Sequence, residues 1–331
     1  MPATTMAENK SPELLKVMER AKDPKHVYLS LAHLITEEAL TRAFHRIRKD
    51  AGVGTDGITK EEYGQKLESN VRSLHERLRT MRWRHKPIRR VHIPKENGKS
   101  RPIGISSTED KIVQEALRVI LELIYEPIFY DCSYGFRRGR SAHDALRSLH
   151  GVLYQGQMSW ILEIDCESYF DSIDRKMLIE MIQERVVDGS LKRLIGKCLH
   201  VGILDGDDYS EPEEGTVQGS VLSPILGNIY LHHVLDRWFE HEVKPRLRGR
   251  SFLIRYADDG VLGFEREDDA RRVLRVLKKR FQRFGLRLHP EKTRVVPFGR
   301  PSRTTKNGKG PGTYDFLGFT HYWRRSRKGL W

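Results

Sequence analysis

Apolar positions along the chain follow two spacings, and the change from one to the other marks its elements. After Ser107, the residues Ile112, Ala116, Ile120 and Ile124 recur every fourth position beside Val113, Leu117 and Leu121. That is the pattern of a broadly buried helix, with Ser107 as N-cap, Asp110 at capping-box spacing and Pro127 closing it. Thr36 to Lys49 also reads as helix, whereas residues 1–35, with only Leu14, Leu15 and Met18 in weak helical register, read as an extension outside the core. Leu67 to Arg90 is amphipathic and arginine-dense. Asp268 to Phe284 places Ala270, Val273, Leu274, Leu277 and Phe281 on one side of a helix whose other side is basic, with Gly285 as its stop. Ser223 as cap and Pro224 as first residue open a further helix reaching about Glu242.

Between these lie segments of strand character. Residues 89–106 read as two short strands around an Asn97-Gly98 turn. WILEID, 160–165, is a strand that turns at its end, and LIRYADDGVLGF, 253–264, is a hairpin whose turn is expected at Asp258, Asp259 and Gly260. TRVVPF and TYDFLGF are two more strand candidates around a Lys/Gly/Pro-rich loop at 299–312. Strands alternate with helices throughout, and no internal repeat points to a solenoid.

Composition narrows the class. With 331 residues, 31% charged and 38% hydrophobic, the chain is expected to be soluble and globular, with about two compact units. No run approaches the roughly 18 apolar residues of a membrane span. The polar start carries neither a secretory core nor a mitochondrial address, so a cytoplasmic location is expected. Cys132, Cys166 and Cys198 are odd in number and far apart, which supports neither a disulfide framework nor a zinc site. Lys plus Arg (59) against Asp plus Glu (45) leaves +14, so a polyanion, nucleic acid first, is the expected partner. RTMRWRHKPIRR, 79–90, is either a solvated basic face or a phosphate-tracking surface with Trp83 for stacking. GVGTDG at 52–57 matches a dinucleotide fingerprint in letters only, because a helical run precedes it, and GKS at 98–100 lacks the first glycine of a P-loop, Ile93 standing in its place.

Asp258 and Asp259 stand between apolar runs, where unpaired carboxylates cost several kcal/mol to bury. If the strand ending in Asp165 neighbours their hairpin, three carboxylates converge. Such a cluster raises its own pKa values unless hard cations neutralise it, and all-oxygen ligation suits Mg²⁺ or Mn²⁺. Two ions about 3.5–4 Å apart can stabilise the attacking and leaving oxygens of a phosphoryl transfer. Polymerase or nuclease chemistry follows.

The motifs EIDCESYFDSID, GTVQGSVLSPILGNIYLH, RYADDGVLGF, IPKENGKSRPIGIS, GLRLHPEKT and FLGF, with GVGTDGIT ahead of them, make the chain resemble the reverse transcriptases encoded by group II introns over residues 36–323. The resemblance implies an α+β right-hand polymerase fold: helical fingers over 36–157, an antiparallel-sheet palm over 158–323 with fingers helices inserted near 174–214, and only the start of a thumb at 324–331. It implies Asp165, Asp258 and Asp259 as catalytic metal ligands with the Cys166 backbone carbonyl, holding two Mg²⁺ ions that Mn²⁺ can replace. It further implies Lys95 and Arg101 on the triphosphate, Phe170 beneath the sugar to exclude a 2′-OH, Gln218 and Gly219 at the incoming nucleotide, and Lys292 at the leaving pyrophosphate. The partners implied are an RNA template, a DNA or RNA primer, dNTPs and intron RNA. Ser220 departs from the family's QGG. An RNA-binding, maturase-like module with a vestigial polymerase site is the alternative function, and a nuclease a third.

Overall fold

The computed structural model describes residues 12–94, 98, 100–155, 158–301, 309–325 and 327. Along the chain run helices α1 (Pro12–Ala21), α2 (Glu37–Arg46), α3 (Lys60–Gly64), α4 (Leu67–Arg79), α5 (Thr108–Tyr125), α6 (Ala142–Tyr154), α7 (Arg175–Gln183), α8 (Gly189–Leu199), α9 (Ser223–Leu231) and α10 (Glu267–Arg283). The strands are β1 (Ile88–Pro94), β2 (Ser100–Ile105), β3 (Trp160–Ile164), β4 (Ile203–Asp205), β5 (Asp208–Ser210), β6 (Ser251–Tyr256), β7 (Asp259–Phe264), β8 (Val295–Pro297), β9 (Lys309–Phe316) and β10 (Phe319–Arg324). The class is α+β, and the chain divides into two compact units, one of residues 1–128 and 173–229, the other of 129–172 and 230–331.

The first unit is built around α5. Ser107 accepts from the Asp110 amide as its N-cap, and Ile112, Val113, Leu117, Ile120, Leu121 and Ile124 are buried. Helices α1, α2, α3 and α8 pack on it. Residues 12–35 therefore belong to this core and are no loose extension: Leu14, Val17, Ala21, Tyr28, Leu31 and Leu34 are buried, and the Tyr28 hydroxyl donates to the Val17 carbonyl at 2.7 Å. A small sheet of order β2-β1-β4-β5 lies in the same unit, antiparallel except for the short β1–β4 pairing. The basic stretch 79–90 also departs from expectation. Helix α4 stops at Arg79, Met81 turns at φ 56°, and Trp83 is 0% exposed, so that ring packs in the core and offers no stacking surface.

The second unit holds a sheet of order β6-β7-β3-β8, antiparallel throughout, and a separate hairpin of β9 and β10. Strand alternation gives the sheet two apolar faces. Ile161, Ile254, Val261 and Val296 pack with Ala145, Leu149 and Leu153 of α6, while α10 sits on β3, β7 and β8 and buries Ala270, Val273, Leu277 and Phe281. TYDFLGF is no single strand, because Leu317 (φ 54°) and Gly318 (φ 77°) form the turn between β9 and β10, the double positive φ of a type I′ hairpin. The helix begun by α9 continues through two π-helical stretches, His232–Asp236 and Phe239–Val243, close to its expected end. Its start differs by a residue: Ser223 is already helical and its hydroxyl donates to the Val217 carbonyl at 2.8 Å.

Candidate active site

Register brings the acids together. Strands β3 and β7 pair from Trp160↔Phe264 to Ile164↔Gly260, so one further step sets Asp165 opposite Asp259, on the same face and at the same end of the sheet. Neighbouring antiparallel strands lie about 5 Å apart. Strands β6 and β7 close with Tyr256↔Asp259, which leaves Ala257 and Asp258 as the two turn residues. The turn is thus not at Asp258, Asp259 and Gly260: Gly260 is inside β7, and Ala257 takes the left-handed conformation at φ 56°.

Two layers hold that strained turn. Arg255, fully buried, donates through Nε and Nη2 to both oxygens of buried Asp236 at 2.7 Å each, and through Nη1 to the Ala257 carbonyl at 3.1 Å. The segment 132–137 forms the second layer. The Arg255 amide donates to the Cys132 carbonyl at 2.8 Å, the Tyr134 amide donates to the Arg255 carbonyl at 2.9 Å, and a Cβ on Gly135 would lie 2.2 Å from the Ala257 nitrogen. The sequence reading did not single out Arg255, Asp236 or Gly135. A signal existed for Arg255, whose alternation with Leu253 places it on the core side of β6, where a charge needs a partner. For Gly135 there was none, since its contact lies over a hundred residues away.

The backbone of Asp165 is fixed by the segment 289–293. The His289 amide donates to the Asp165 carbonyl at 2.8 Å, and the Thr293 hydroxyl lies 3.3 Å from the same oxygen. Cys166 bridges Leu288 through flanking hydrogen bonds that use the Asp165 carbonyl and the Glu167 amide, so this pairing leaves the Cys166 carbonyl unused. Its thiol is buried, and burial first, then the charges of Asp258, Asp165 and Asp259, push its pKa well above the ordinary value.

Lys292 donates to Asp165 Oδ2 at 2.8 Å, and its pKa is raised by that bond. Asp259 is exposed at the start of β7, but the protein crowding its carboxyl first, and then the charges of Asp258 and Asp165, push it up to about 6, with Lys292 pulling the other way. These charges sense one another across a cleft of about 380 Å³ lined by Glu163, Asp165, Asp259, Lys292, Arg294 and the β9–β10 turn. Among the described residues no three acidic, histidine or cysteine groups are placed to hold a metal ion as they stand. The donor chemistry nonetheless fits a hard cation: carboxylates alone, with an ammonium already drawn to one of them.

Phe170 is half-buried on the short helical turn Tyr169–Ser172 of this same unit, its ring 5.2 Å from that of buried Tyr169. Arg101, Gln218 and Gly219 belong to the first unit. Arg101 is exposed on β2, and Lys95, with the Asn97 of the expected turn, lies outside the described residues. The loop bearing Gln218 and Gly219 is laid along β2: the Gly104 amide donates to the Gln218 carbonyl at 2.7 Å, and Gly219, at φ 103°, has room for no Cβ, since one would meet the Gly104 carbonyl at 2.6 Å. Ser220 accepts from the Leu222 amide at 3.3 Å, so its hydroxyl serves the start of α9.

Residues 93–321 match the family described as reverse transcriptase (RNA-dependent DNA polymerase). The chain is 33% identical to the group II intron-encoded protein LtrA of Lactococcus lactis subsp. cremoris, over 75% of this chain and 43% of that one, so it spans less than half of LtrA's length. It is 34% identical to protein YkfC of Escherichia coli K12, over 73% of this chain and 72% of that one. Among solved structures, telomerase from Candida albicans shares the fold at a TM-score of 0.51 and 15% identity, over 73% of this chain and 46% of that one.

Proposed function

The chain belongs to the reverse transcriptase family, of the group II intron type, and we propose that it adds dNTPs to a primer 3′-OH on an RNA template. The observation that carries this reading is the β3–β7 register, which sets Asp165 opposite Asp259 beside a turn containing Asp258.

Reverse transcriptases use divalent metal ions, and Mg²⁺, as two ions that Mn²⁺ can replace, is the cofactor proposed here. Asp165, Asp258, Asp259 and the Cys166 carbonyl would hold it. When bound, the metal supplies charge stabilisation to the attacking and leaving oxygens. The protein's own share is positioning. The Arg255–Asp236 pair and the 132–137 segment keep the hairpin turn in place, and the 289–293 segment fixes Asp165. Lys292 would exchange Asp165 for the pyrophosphate end of the nucleotide. Phe170 would exclude a 2′-OH, Lys95 and Arg101 would take triphosphate oxygens as point charge and fork, and Gln218 and Gly219 would meet the nucleotide and its templating base. The proposed partners are an RNA template, a DNA or RNA primer and intron RNA, in the cytoplasm.

Primer extension by the purified chain on RNA and DNA templates with Mg²⁺ or Mn²⁺, beside the Asp258→Ala, Asp259→Ala double variant, tests the reading. Metal-dependent synthesis lost in the variant is expected. No synthesis by the wild-type chain, with equal RNA binding by both proteins, would replace it with an RNA-binding, maturase-like role.

A further inference from the structure

Phe136 combines two features that a purely structural residue avoids. Its backbone sits at φ 57°, where an L side chain is disfavoured, and its ring is 51% exposed, so burial returns little for that strain. A glycine there would relieve the first and a polar residue the second. The neighbours explain how the conformation is imposed. Gly135 is pressed against the Ala257 nitrogen of the acidic hairpin. On the other side Arg137, nearly buried, donates through Nη1 to the Tyr130 and Ser133 carbonyls at 2.8 Å each. Phe136 is thus carried on a segment tied directly to the catalytic turn.

Its ring points at one partner of note, Phe170, with centroids 6.4 Å apart and planes at 60°. Phe170 meets Tyr169 at 5.2 Å on its other contact. Both separations lie in the range where aromatic edges and faces attract. Tyr169 is buried, whereas Phe170 is half-buried, so Phe136 adds a second ring contact to a side chain that Tyr169 already touches.

We propose that Phe136 is a positioning residue for sugar selection: by its edge-to-face contact it fixes the Phe170 ring where that ring excludes a 2′-OH. The inference rests on the polymerase reading and on Phe170 as the gate. It also ties the gate to the metal-binding hairpin through Gly135, so that both are set by one loop.

The test is the ratio of kcat/KM for a dNTP to that for the matching rNTP, measured on the full chain for wild type, Phe136→Ala, Phe136→Tyr, Phe170→Ala and the double alanine variant. Phe136→Ala should lower discrimination about two- to tenfold, the worth of one aromatic pair. Phe136→Tyr should keep it, and Phe136→Ala should add nothing once Phe170 is alanine. Where Phe136→Ala does not fold, Phe136→Leu, which fills space without a ring edge, carries the same expectation. Wild-type discrimination in Phe136→Ala while Phe170→Ala has lost it overturns the proposal, as do losses that multiply in the double variant. Normal discrimination in Phe170→Ala removes the gate and this inference with it, and a wild-type chain that adds no nucleotide removes the polymerase reading itself.

Discussion

Arg255 and Asp236 form a two-pronged ion pair with both bonds at 2.7 Å and neither side chain exposed. A buried pair of this kind is weak evidence for stability, because desolvation offsets most of the attraction. Its geometry has another consequence. The same guanidinium reaches the carbonyl of Ala257, the turn residue before Asp258, so the pair transmits the position of the π-helical segment His232–Asp236 to the turn that carries the acids.

Asp236→Ala leaves the guanidinium buried without its carboxylate, and the expected loss is about 3–5 kcal/mol of unfolding free energy. Chemical denaturation measures it. A loss below about 1 kcal/mol, within the range of an exposed pair, would show that the charge is otherwise accommodated.

How far the sequence discloses this arrangement follows from what is local. The α5 pattern, the Ser107 cap and the YADD hairpin are each written within a short window, and each appears in the structure. The placement of the hairpin turn is not local. Asp-Gly chemistry favours a turn at Asp259-Gly260, yet pairing with β3 on the far side of β7 takes Gly260 into the ladder opposite Ile164 and moves the turn to Ala257-Asp258. Trp83 misleads for the same reason: surrounded by arginines in sequence, it is claimed by the core of its unit. The contacts of Gly135 with Ala257, and of the 289–293 segment with Asp165, join residues more than a hundred positions apart, beyond any reading by periodicity.

Gly135→Ala tests whether that long-range contact sets the site. A Cβ would stand 2.2 Å from the Ala257 nitrogen and 2.9 Å from the Tyr256 carbonyl carbon, both backbone atoms that cannot rotate aside. The turn must shift, and a displacement near 1 Å at reacting groups can cost about a hundredfold in rate. Primer extension should show kcat down by at least about tenfold with the circular dichroism spectrum of the wild type. An unchanged kcat would mean that the 132–137 segment, not the hairpin, gives way.

Asp259 supplies a pH dependence of stability whose sign is fixed. Its pKa rises from 3.8 in the unfolded chain to about 6 in the fold, so between those values the folded state holds the proton more firmly and stability falls as pH rises. Below 3.8 and above about 6 the contribution is flat. Without divalent cations, Asp259→Asn should therefore be more stable than wild type at pH 7, with the gain shrinking towards pH 4. Melting temperatures of the two proteins across this window check it, and a variant less stable than wild type at pH 7 would contradict a carboxylate held under repulsion.

Lys292 and a divalent cation compete for the same oxygen. The ammonium lies 2.8 Å from Asp165 Oδ2, but its side chain is 62% exposed, so the pair is readily given up. Removing it deprives Asp165 of its resident cation without changing the carboxylates, and the site becomes more negative. Lys292→Ala should then bind Mn²⁺ more tightly than wild type in the absence of nucleotide, by up to about fivefold, the worth of an exposed ion pair. With nucleotide present the balance reverses, because the lysine proposed to meet the pyrophosphate is gone, and kcat/KM for dNTP should fall. Mn²⁺ titration followed by electron paramagnetic resonance, beside steady-state extension, separates the two effects. Weaker Mn²⁺ binding in the variant would mean instead that Lys292 orients Asp165 for the metal rather than standing in its place.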